Sequence, residues 1–566
     1  MKLRSNFEPG TTRWAVRRAQ WLALGLTEDD LEKPKIAIVN SSSKLSICFS
    51  HLDDIAKTAA DAVRAAGGVP FEIRTAVPSD FVTSAGLQGR YLMPTRDLIV
   101  NDIEVQVEGA VLDGMVLLSS CDKTTPAHLM AAGRLDIPLI IVPCGYQLGS
   151  ACDKGAVDIE DVYKSIGKLR AGQMSLAELT AMTCIAIRGP GVCAGLGTAN
   201  SMHILAEAIG MALPGSTPLR AGSEKNHAVA ASSGARIVDM VREGLTPKHI
   251  LTPQALRNAV RVAVATGCSI NCVRHLIATA VEARCDLDVL AEIERAADIP
   301  QLIAVRPNGP DRIETFDSAG GTLAVMRELG DNLDGNARSV SGQALADTLA
   351  APPLVITDRA IIATLDAPAR PEPGLVLLRG NLAPGGAMVK LSGVPAGVRS
   401  FRGPAKTFET EADAIQGLES GAVQAGAVII LRYCGPMGGP GTVFAASFMA
   451  ALVGAGLGTQ VAVVTDGELS GLNSGITVGQ IMPEAAEGGP LAAVRDGDMI
   501  AIDLSSRTLT LEVAEADLQD RIASLPPYDG GYRRGWLDLY GQLVQPLSRG
   551  AVLGKRPWPR DEWERS

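Results

Sequence analysis

The spacing of apolar and polar residues changes in character near residue 370. Before that point, nearly continuous apolar runs at 34–40, 110–120 and 137–145 predict buried strands. The stretches 51–68 and 126–136 between them have the spacing of helices. Because strands and helices alternate, this part predicts a parallel sheet flanked by helices.

Further helical patterns occupy 199–212, 253–264 and 271–283. Beyond about residue 370, short apolar runs such as LVLLRG, AVIILRY, QVAVVT and MIAIDL are separated by turns rich in Gly and Pro. This texture predicts a second, β-rich domain, which is a barrel or a sandwich. The proline-bearing segment 366–374 marks the junction. We therefore expect an α/β domain over 1–368 and a β-barrel-like domain over 369–566.

Length, charge and cysteine content exclude several classes of protein. A chain of 566 residues is too long for one hydrophobic core. The net charge is −10 and there is no basic run, so we expect neither nucleic acid nor an anionic membrane as a partner. No apolar run approaches the about 20 residues of a membrane span, and the start has no signal-peptide pattern, so we expect a cytoplasmic protein. The ten cysteines are irregularly spaced, which does not suggest a disulfide framework.

The triplet Cys-Asp-Lys occurs twice, at 121–123 and at 152–154. The first copy directly follows a predicted strand and precedes a helix, and ligands of open α/β sheets bind at such strand ends. The second copy has no predicted strand before it. We therefore expect the first copy to be functional and the second to be an ordinary surface turn.

Two other cysteines have the same setting as Cys121. Cys48 lies between a predicted strand and a helix, and Cys193 lies in a Gly-rich loop that leads into a helix. A helix N-terminus favours the thiolate, which is the form that binds metal. Three thiolates without a fourth ligand would leave an open coordination position, as in a catalytic metal centre. The alternative for each cysteine is a buried structural thiol.

Long motifs along the whole chain carry a specific resemblance. They include NSSSKLSICFSHL, SCDKTTP, GPGVCAGLGTANSM, GCSINCVRHL, GNLAPGG, GPAKTFETEADA, RYCGPMGGPG, TDGELSG and PEAAEGGPLA. In these motifs the chain resembles the dihydroxy-acid dehydratase / phosphogluconate dehydratase family. These are iron–sulfur hydro-lyases that include sugar-acid dehydratases.

The resemblance implies a set of site residues. Cys48, Cys121 and Cys193 match the three ligands of a [2Fe-2S] cluster. The ligands of Mg²⁺ are matched by Asp80, by Asp122 and by Lys123, which is carbamylated in the family; Ser470 matches the catalytic base. Ligand softness sorts the two metals, since thiolates suit iron and carboxylate oxygens suit magnesium.

The resemblance also implies a reaction. The substrate would be a small 2,3-dihydroxy carboxylic acid, and the cluster would act as a Lewis acid toward the C3 hydroxyl while Ser470 removes the C2 proton. Loss of water would give an enol that tautomerises to a 2-oxo acid. A homodimer or homotetramer is the assembly that the resemblance implies.

Four positions depart from the family pattern. Cys434 and Phe444 stand where Glu is usual, Glu468 stands where Arg is usual, and Gln480 stands where His is frequent. Phe444 removes a magnesium ligand, and a carboxylate at 468 would raise the pKa of Ser470. Either the substrate differs and the pocket is rebuilt, which we favour, or the magnesium half of the site is lost.

Two other functions compete with the dehydratase. A degenerate relative would bind the iron–sulfur cluster without dehydratase activity. A nucleotide-binding α/β enzyme would use the Gly-rich loops, but the chain has neither GxGxxG after its first strand nor a GKS/T motif. The polar residues Glu468, Asn473, Ser474 and Gln480 favour a hydroxylated substrate over a branched alkyl one.

Overall fold

A computed structural model describes residues 3–77, 82, 86–152, 155–307, 309–351, 356–468, 475–531 and 534–555. The strands in this part are β1 (Lys35–Asn40), β2 (Val69–Arg74), β3 (Gly114–Ser119), β4 (Leu139–Pro143), β5 (Ser150–Cys152), β6 (Gly155–Val157), β7 (Leu375–Gly380), β8 (Ala383–Lys390), β9 (Ser400–Phe408), β10 (Val428–Leu431), β11 (Ala462–Thr465), β12 (Thr477–Met482), β13 (Met499–Asp503) and β14 (Thr508–Leu511). The α-helices are Thr12–Ala23, Glu28–Leu31, Leu52–Ala65, Leu92–Ala110, Cys121–Leu135, Ile159–Arg170, Leu176–Thr183, Thr198–Ile209, Glu224–Glu243, Pro253–Thr266, Asn271–Glu282, Val289–Arg295, Ile313–Ala319, Gly321–Leu329, Leu345–Ala350, Glu411–Glu419, Ala446–Gly454, Glu515–Ala523 and Trp536–Leu543.

The N-terminal sheet is parallel, with strand order β2-β1-β3-β4. Every residue of β1, β3 and β4 is buried, as expected for parallel strands covered on both faces. The helices Leu52–Ala65 and Glu224–Glu243 pack against each other over the sheet. The predicted parallel sheet flanked by helices is confirmed.

The C-terminal strands close into an eight-stranded barrel in the order β10-β11-β12-β8-β7-β14-β13-β9. Side chains of β10 alternate between two cores: Val428 and Ile430 join the barrel interior, whereas Ile429 and Leu431 join the large core that includes the N-terminal sheet. This alternation follows from the two-residue period of a strand. The predicted barrel is confirmed, and the outward side chains of β10 are buried against the rest of the chain.

Two predicted boundaries are wrong near the first Cys-Asp-Lys copy. The strand predicted at 110–120 begins only at Gly114, because the preceding helix continues to Ala110. The helix predicted from 126 begins at Cys121, so Pro126 lies inside it. The backbone N–H of Ser120 donates to Thr124 Oγ1 at 2.9 Å, which closes the first turn ahead of the proline. Cys121, Asp122 and Lys123 are therefore the first turn of a helix.

The second copy begins on the last residue of a strand, contrary to the prediction that no strand precedes it. Cys152 ends β5, which pairs antiparallel with β6. Asp153 and Lys154 lie outside the described residues. No helix in the described part of the chain combines the length and the apolar character that a membrane crossing requires.

Candidate active site

Cys121 lies at the carboxyl end of β3, where the chain turns sharply into the helix Cys121–Leu135. Its φ of 64° is in the left-handed region, which non-glycine residues adopt uncommonly, and the residue is buried. Such outliers occur where surrounding structure holds the backbone in place, often at functional sites. The turn places three chemically different side chains in one buried helical turn.

Cys48 is connected directly to this turn. It lies in the short 3₁₀ helix Ile47–Phe49 after β1 and is buried. The hydroxyl of Ser120 donates a hydrogen bond of 2.6 Å to the carbonyl of Cys48. The backbones of the first two predicted cluster ligands are thus connected through one side chain.

Cys193 lies in the Gly-rich loop before the helix Thr198–Ile209. The side-chain amide of Asn200 donates to the carbonyls of Cys193 and Gly195, each at 2.8 Å, and so holds the loop against its own helix. A Cβ added at Gly197 would lie 3.5 Å from Cys193 Sγ, so a glycine leaves space beside the sulfur.

The three cysteines fit a thiolate-bound iron–sulfur cluster in their chemistry and burial. Among the described residues, no three His, Cys, Asp or Glu side chains are arranged to hold one metal ion. In a two-iron cluster the ligands are divided between two irons, so three sulfurs need not surround one ion. The meeting of Cys48, Cys121 and Cys193 at a cluster stays a prediction.

Lys123 is almost completely buried and lies between two carboxylates. Its Nζ is 2.9 Å from Asp122 Oδ2 and 3.6 Å from Glu468 Oε2. The same nitrogen lies 5.1 Å from the centre of the Phe444 ring, at cation–π distance. The other oxygen of Asp122, Oδ1, is buried and has no hydrogen-bond partner among the described residues. That oxygen is available to a cation or to a substrate hydroxyl.

Arg274 adds a second buried cation. It lies in the helix Asn271–Glu282 and forms an ion pair with Glu468 through Nη2 and Oε1. Arg274 is 1% exposed and Glu468 is 0% exposed. Burial lowers the pKa of Arg274 to about 9, and the neighbouring Arg96 adds to this effect while Asp122 opposes it. Nε and Nη1 of Arg274 have no hydrogen-bond partner among the described residues.

Each of the four residues that depart from the family pattern has defined contacts or full burial in the structure. Phe444 and Glu468 are bridged by backbone pairing, with the N–H of Glu468 donating to Val443 O at 3.1 Å. Gln480 Nε2 donates to Ile270 O at 3.1 Å, which ties the barrel to the start of the helix that carries Arg274. Cys434 is fully buried, and burial raises its pKa well above that of an ordinary thiol, so it is an unreactive structural residue.

The negative charge of Glu468 is compensated by neighbouring cations. Lys123 and Arg274 both contact it, so two cations offset the charge of its carboxylate. The motifs predict Asp80 as a metal ligand and Ser470 as the catalytic base. Both residues lie outside the described residues.

Arg274 is the residue that sequence reasoning missed. The sequence predicts a helix at 271–283, and residues 271–280 of this helix are all buried. A guanidinium inside a fully buried helical stretch is itself a signal, because arginine is almost never fully buried unless it is paired. That signal could have directed attention to a buried anion.

Two family models together match most of the chain. The model of the dihydroxy-acid/6-phosphogluconate dehydratase N-terminal domain matches residues 33–348, and the model of the C-terminal domain matches residues 360–551. A dihydroxy-acid dehydratase of Methanothrix thermoacetophila is 40% identical over 554 residues, which is 97% of this chain and 100% of the relative. A dihydroxy-acid dehydratase of Ignicoccus hospitalis is 38% identical over 543 residues, covering 95% of this chain and 98% of the relative.

Proposed function

The chain belongs to the dihydroxy-acid/6-phosphogluconate dehydratase family, and we propose that it is a hydro-lyase that converts a 2,3-dihydroxy carboxylic acid to a 2-oxo acid. One observation carries the proposal to this chain. A thiol, a carboxylate and an amine occupy one buried helical turn, and Glu468 of the barrel reaches that turn. The turn thus offers ligands for a soft and for a hard metal side by side.

The cofactor assignment is part of the proposal. Cys48, Cys121 and Cys193 would hold a [2Fe-2S] cluster, supported by their burial and by the hydrogen bond from Ser120 to Cys48. When bound, the cluster would supply a Lewis acid that makes the C3 hydroxyl a better leaving group.

The hard cation of the proposal is Mg²⁺, held by Asp80, Asp122 and a carbamate on Lys123. Asp122 Oδ1 has no hydrogen-bond partner within the described ranges, which supports a cation here. Carbamate formation joins the neutral amine nitrogen to the carbon of CO₂ and releases one proton, and a second proton has already left the ammonium. The side chain changes from one positive to one negative charge and becomes an oxygen ligand.

The chain's own groups account for the proton and charge movements. Ser470, as an alkoxide, would take the C2 proton, and hydroxide would leave C3. The proton taken by Ser470 would convert that hydroxide to water and restore the alkoxide, and the resulting enol would tautomerise to the 2-oxo acid. Arg274 pairs with Glu468, two residues before Ser470 in the sequence, and so offsets the charge of this carboxylate. Nε and Nη1 of Arg274, which have no hydrogen-bond partner in the part of the chain that the structure describes, are available to the substrate's anionic oxygens.

A substrate panel tests the function. Protein purified without oxygen is offered branched alkyl and sugar-derived 2,3-dihydroxy acids, and 2-oxo acid is measured. Turnover of at least one acid, lost in Cys48→Ser, is the expected result. Cluster-loaded protein that converts no member of the panel would contradict the proposal and favour a cluster-binding protein without activity, for which the comparisons give no support.

Three further features remain predictions. A homodimer or homotetramer would be detected by light scattering, and location in the cytoplasm by fractionation of cells. The proposed domain boundary at residue 368 is supported by the helix Leu345–Ala350 before it and by β7, which begins the barrel after it.

A further inference from the structure

Position 444 has no carboxylate, yet a carboxylate does reach Lys123 from the neighbouring backbone segment. Phe444 and Glu468 are paired residues of adjacent segments, so a side chain at either position can approach the same point. Glu468 Oε2 lies 3.6 Å from Lys123 Nζ, and the Phe444 ring centre lies 5.1 Å from the same atom. This backbone pair therefore places a carboxylate beside Lys123, although position 444 itself carries a phenyl ring.

Two carboxylates converge on the Lys123 nitrogen. Asp122 approaches at 2.9 Å from the helix and Glu468 approaches from the barrel. The ammonium of Lys123 occupies the space between the two carboxylates. Asp122 Oδ1 remains without a hydrogen-bond partner among the described residues. Oxygen atoms in this state are suitable ligands for Mg²⁺.

The buried charges balance in two states. With an ammonium on Lys123, the cations Lys123 and Arg274 offset Asp122 and Glu468. A carbamate on Lys123 adds two negative charges relative to the ammonium, and one divalent cation restores neutrality. Buried charge is tolerated only when it is compensated, so each of the two states is self-consistent.

We propose that Glu468 is the carboxylate ligand of the divalent cation in this chain, in place of the missing carboxylate at position 444, and that Arg274 positions it. The inference rests on the proposed function for the presence of the cation. It assigns to that cation a residue at position 468, where the family pattern has Arg and therefore no ligand. Arg274 acts through Glu468 and keeps its carboxylate directed at Asp122 and Lys123.

Cation binding tests the assignment directly. Mn²⁺ is titrated into the cluster-loaded protein with bicarbonate present and without substrate, and bound Mn²⁺ is measured by electron paramagnetic resonance. Glu468→Gln should weaken Mn²⁺ binding by about tenfold or more, since even groups that only orient a ligand contribute about 10–100-fold. Phe444→Glu in the Glu468→Gln background should restore much of the affinity, whereas the matched Phe444→Leu should not.

Several results would overturn the assignment. These are wild-type protein that binds no Mn²⁺, Glu468→Gln with unchanged affinity, or Phe444→Leu that rescues as well as Phe444→Glu. If Glu468→Gln does not fold, Glu468→Asp keeps the charge but withdraws the oxygens, and an unchanged affinity in that variant would also overturn it. Dehydratase turnover is measured separately. Turnover without an effect of Glu468 on Mn²⁺ contradicts this inference alone, and Mn²⁺ binding without turnover contradicts the proposed function alone.

Discussion

The buried pair Arg274–Glu468 makes an asymmetric prediction about stability. Both residues are at most 1% exposed, so neither charge is solvated by water. At an effective dielectric constant of about 20, the Lys123–Glu468 separation of 3.6 Å corresponds to about 5 kcal/mol of Coulomb attraction. Desolvation costs several kcal/mol for each ion, so the whole cluster contributes little net stability compared with an apolar replacement.

Removing one partner is a different perturbation, because it leaves a charge buried without compensation. Glu468→Met removes the carboxylate that both Arg274 and Lys123 contact, and we expect it to lower the free energy of unfolding by about 3–5 kcal/mol. Arg274→Met should lower the free energy of unfolding by a smaller amount, because Glu468 keeps its ion pair with Lys123. The double variant should cost less than the sum of the two single variants by about 1–3 kcal/mol.

Urea unfolding followed by far-UV circular dichroism measures these differences in samples of equal iron content. The exposed pair Arg402–Glu512 on the barrel is the matched control, with nitrogen–oxygen distances of 2.9 and 2.7 Å. Its equivalent variants should change stability by at most about 1 kcal/mol. Equal costs for Glu468→Met and Arg274→Met, or strict additivity in the double variant, would refute the reasoning.

Three other predictions address separate parts of the molecule. Ser120→Ala should lower the free energy of unfolding by about 1–3 kcal/mol and lower the iron content, because it breaks the hydrogen bond to Cys48 O. An iron content equal to that of wild type would contradict this. The exposed Ser505→Ala is the control. Burial raises the pKa of Glu207 to about 7 from 4.5. The unfolded chain ionises first, so stability should fall by about 3 kcal/mol as pH rises between these values, and Glu207→Gln should flatten this dependence in urea titrations. Gly167→Ala should destabilise by about 1–3 kcal/mol, since its Cβ would lie 2.1 Å from Ala450 O, and a melting temperature equal to that of Lys168→Ala would argue against tight packing there.

The sequence alone determined the architecture. Apolar runs with a helical or strand period specify which elements form, because each element must bury one face. The parallel sheet, the barrel and the helices near 253–264 and 271–283 were predicted from this pattern and are present. The motifs around the cysteines also identified the family that the comparisons show.

Helix boundaries were less predictable. Pro126 suggested a helix start near 126, but the Ser120–Thr124 hydrogen bond closes the first turn five residues earlier. That bond depends on side-chain geometry, which periodicity does not encode. The consequence matters for function, because it places Cys121, Asp122 and Lys123 in one helical turn.

Only the tertiary structure decided how the unusual residues are used. From the sequence, Glu468 predicts an unfavourable charge beside Ser470 and Phe444 predicts a missing ligand. In the folded chain, Arg274 from a distant helix and Lys123 from another both reach Glu468, so its charge is compensated. Pattern along a chain reports which face of an element is buried, whereas the sign and distance of the charges that meet there depend on residues far apart in sequence.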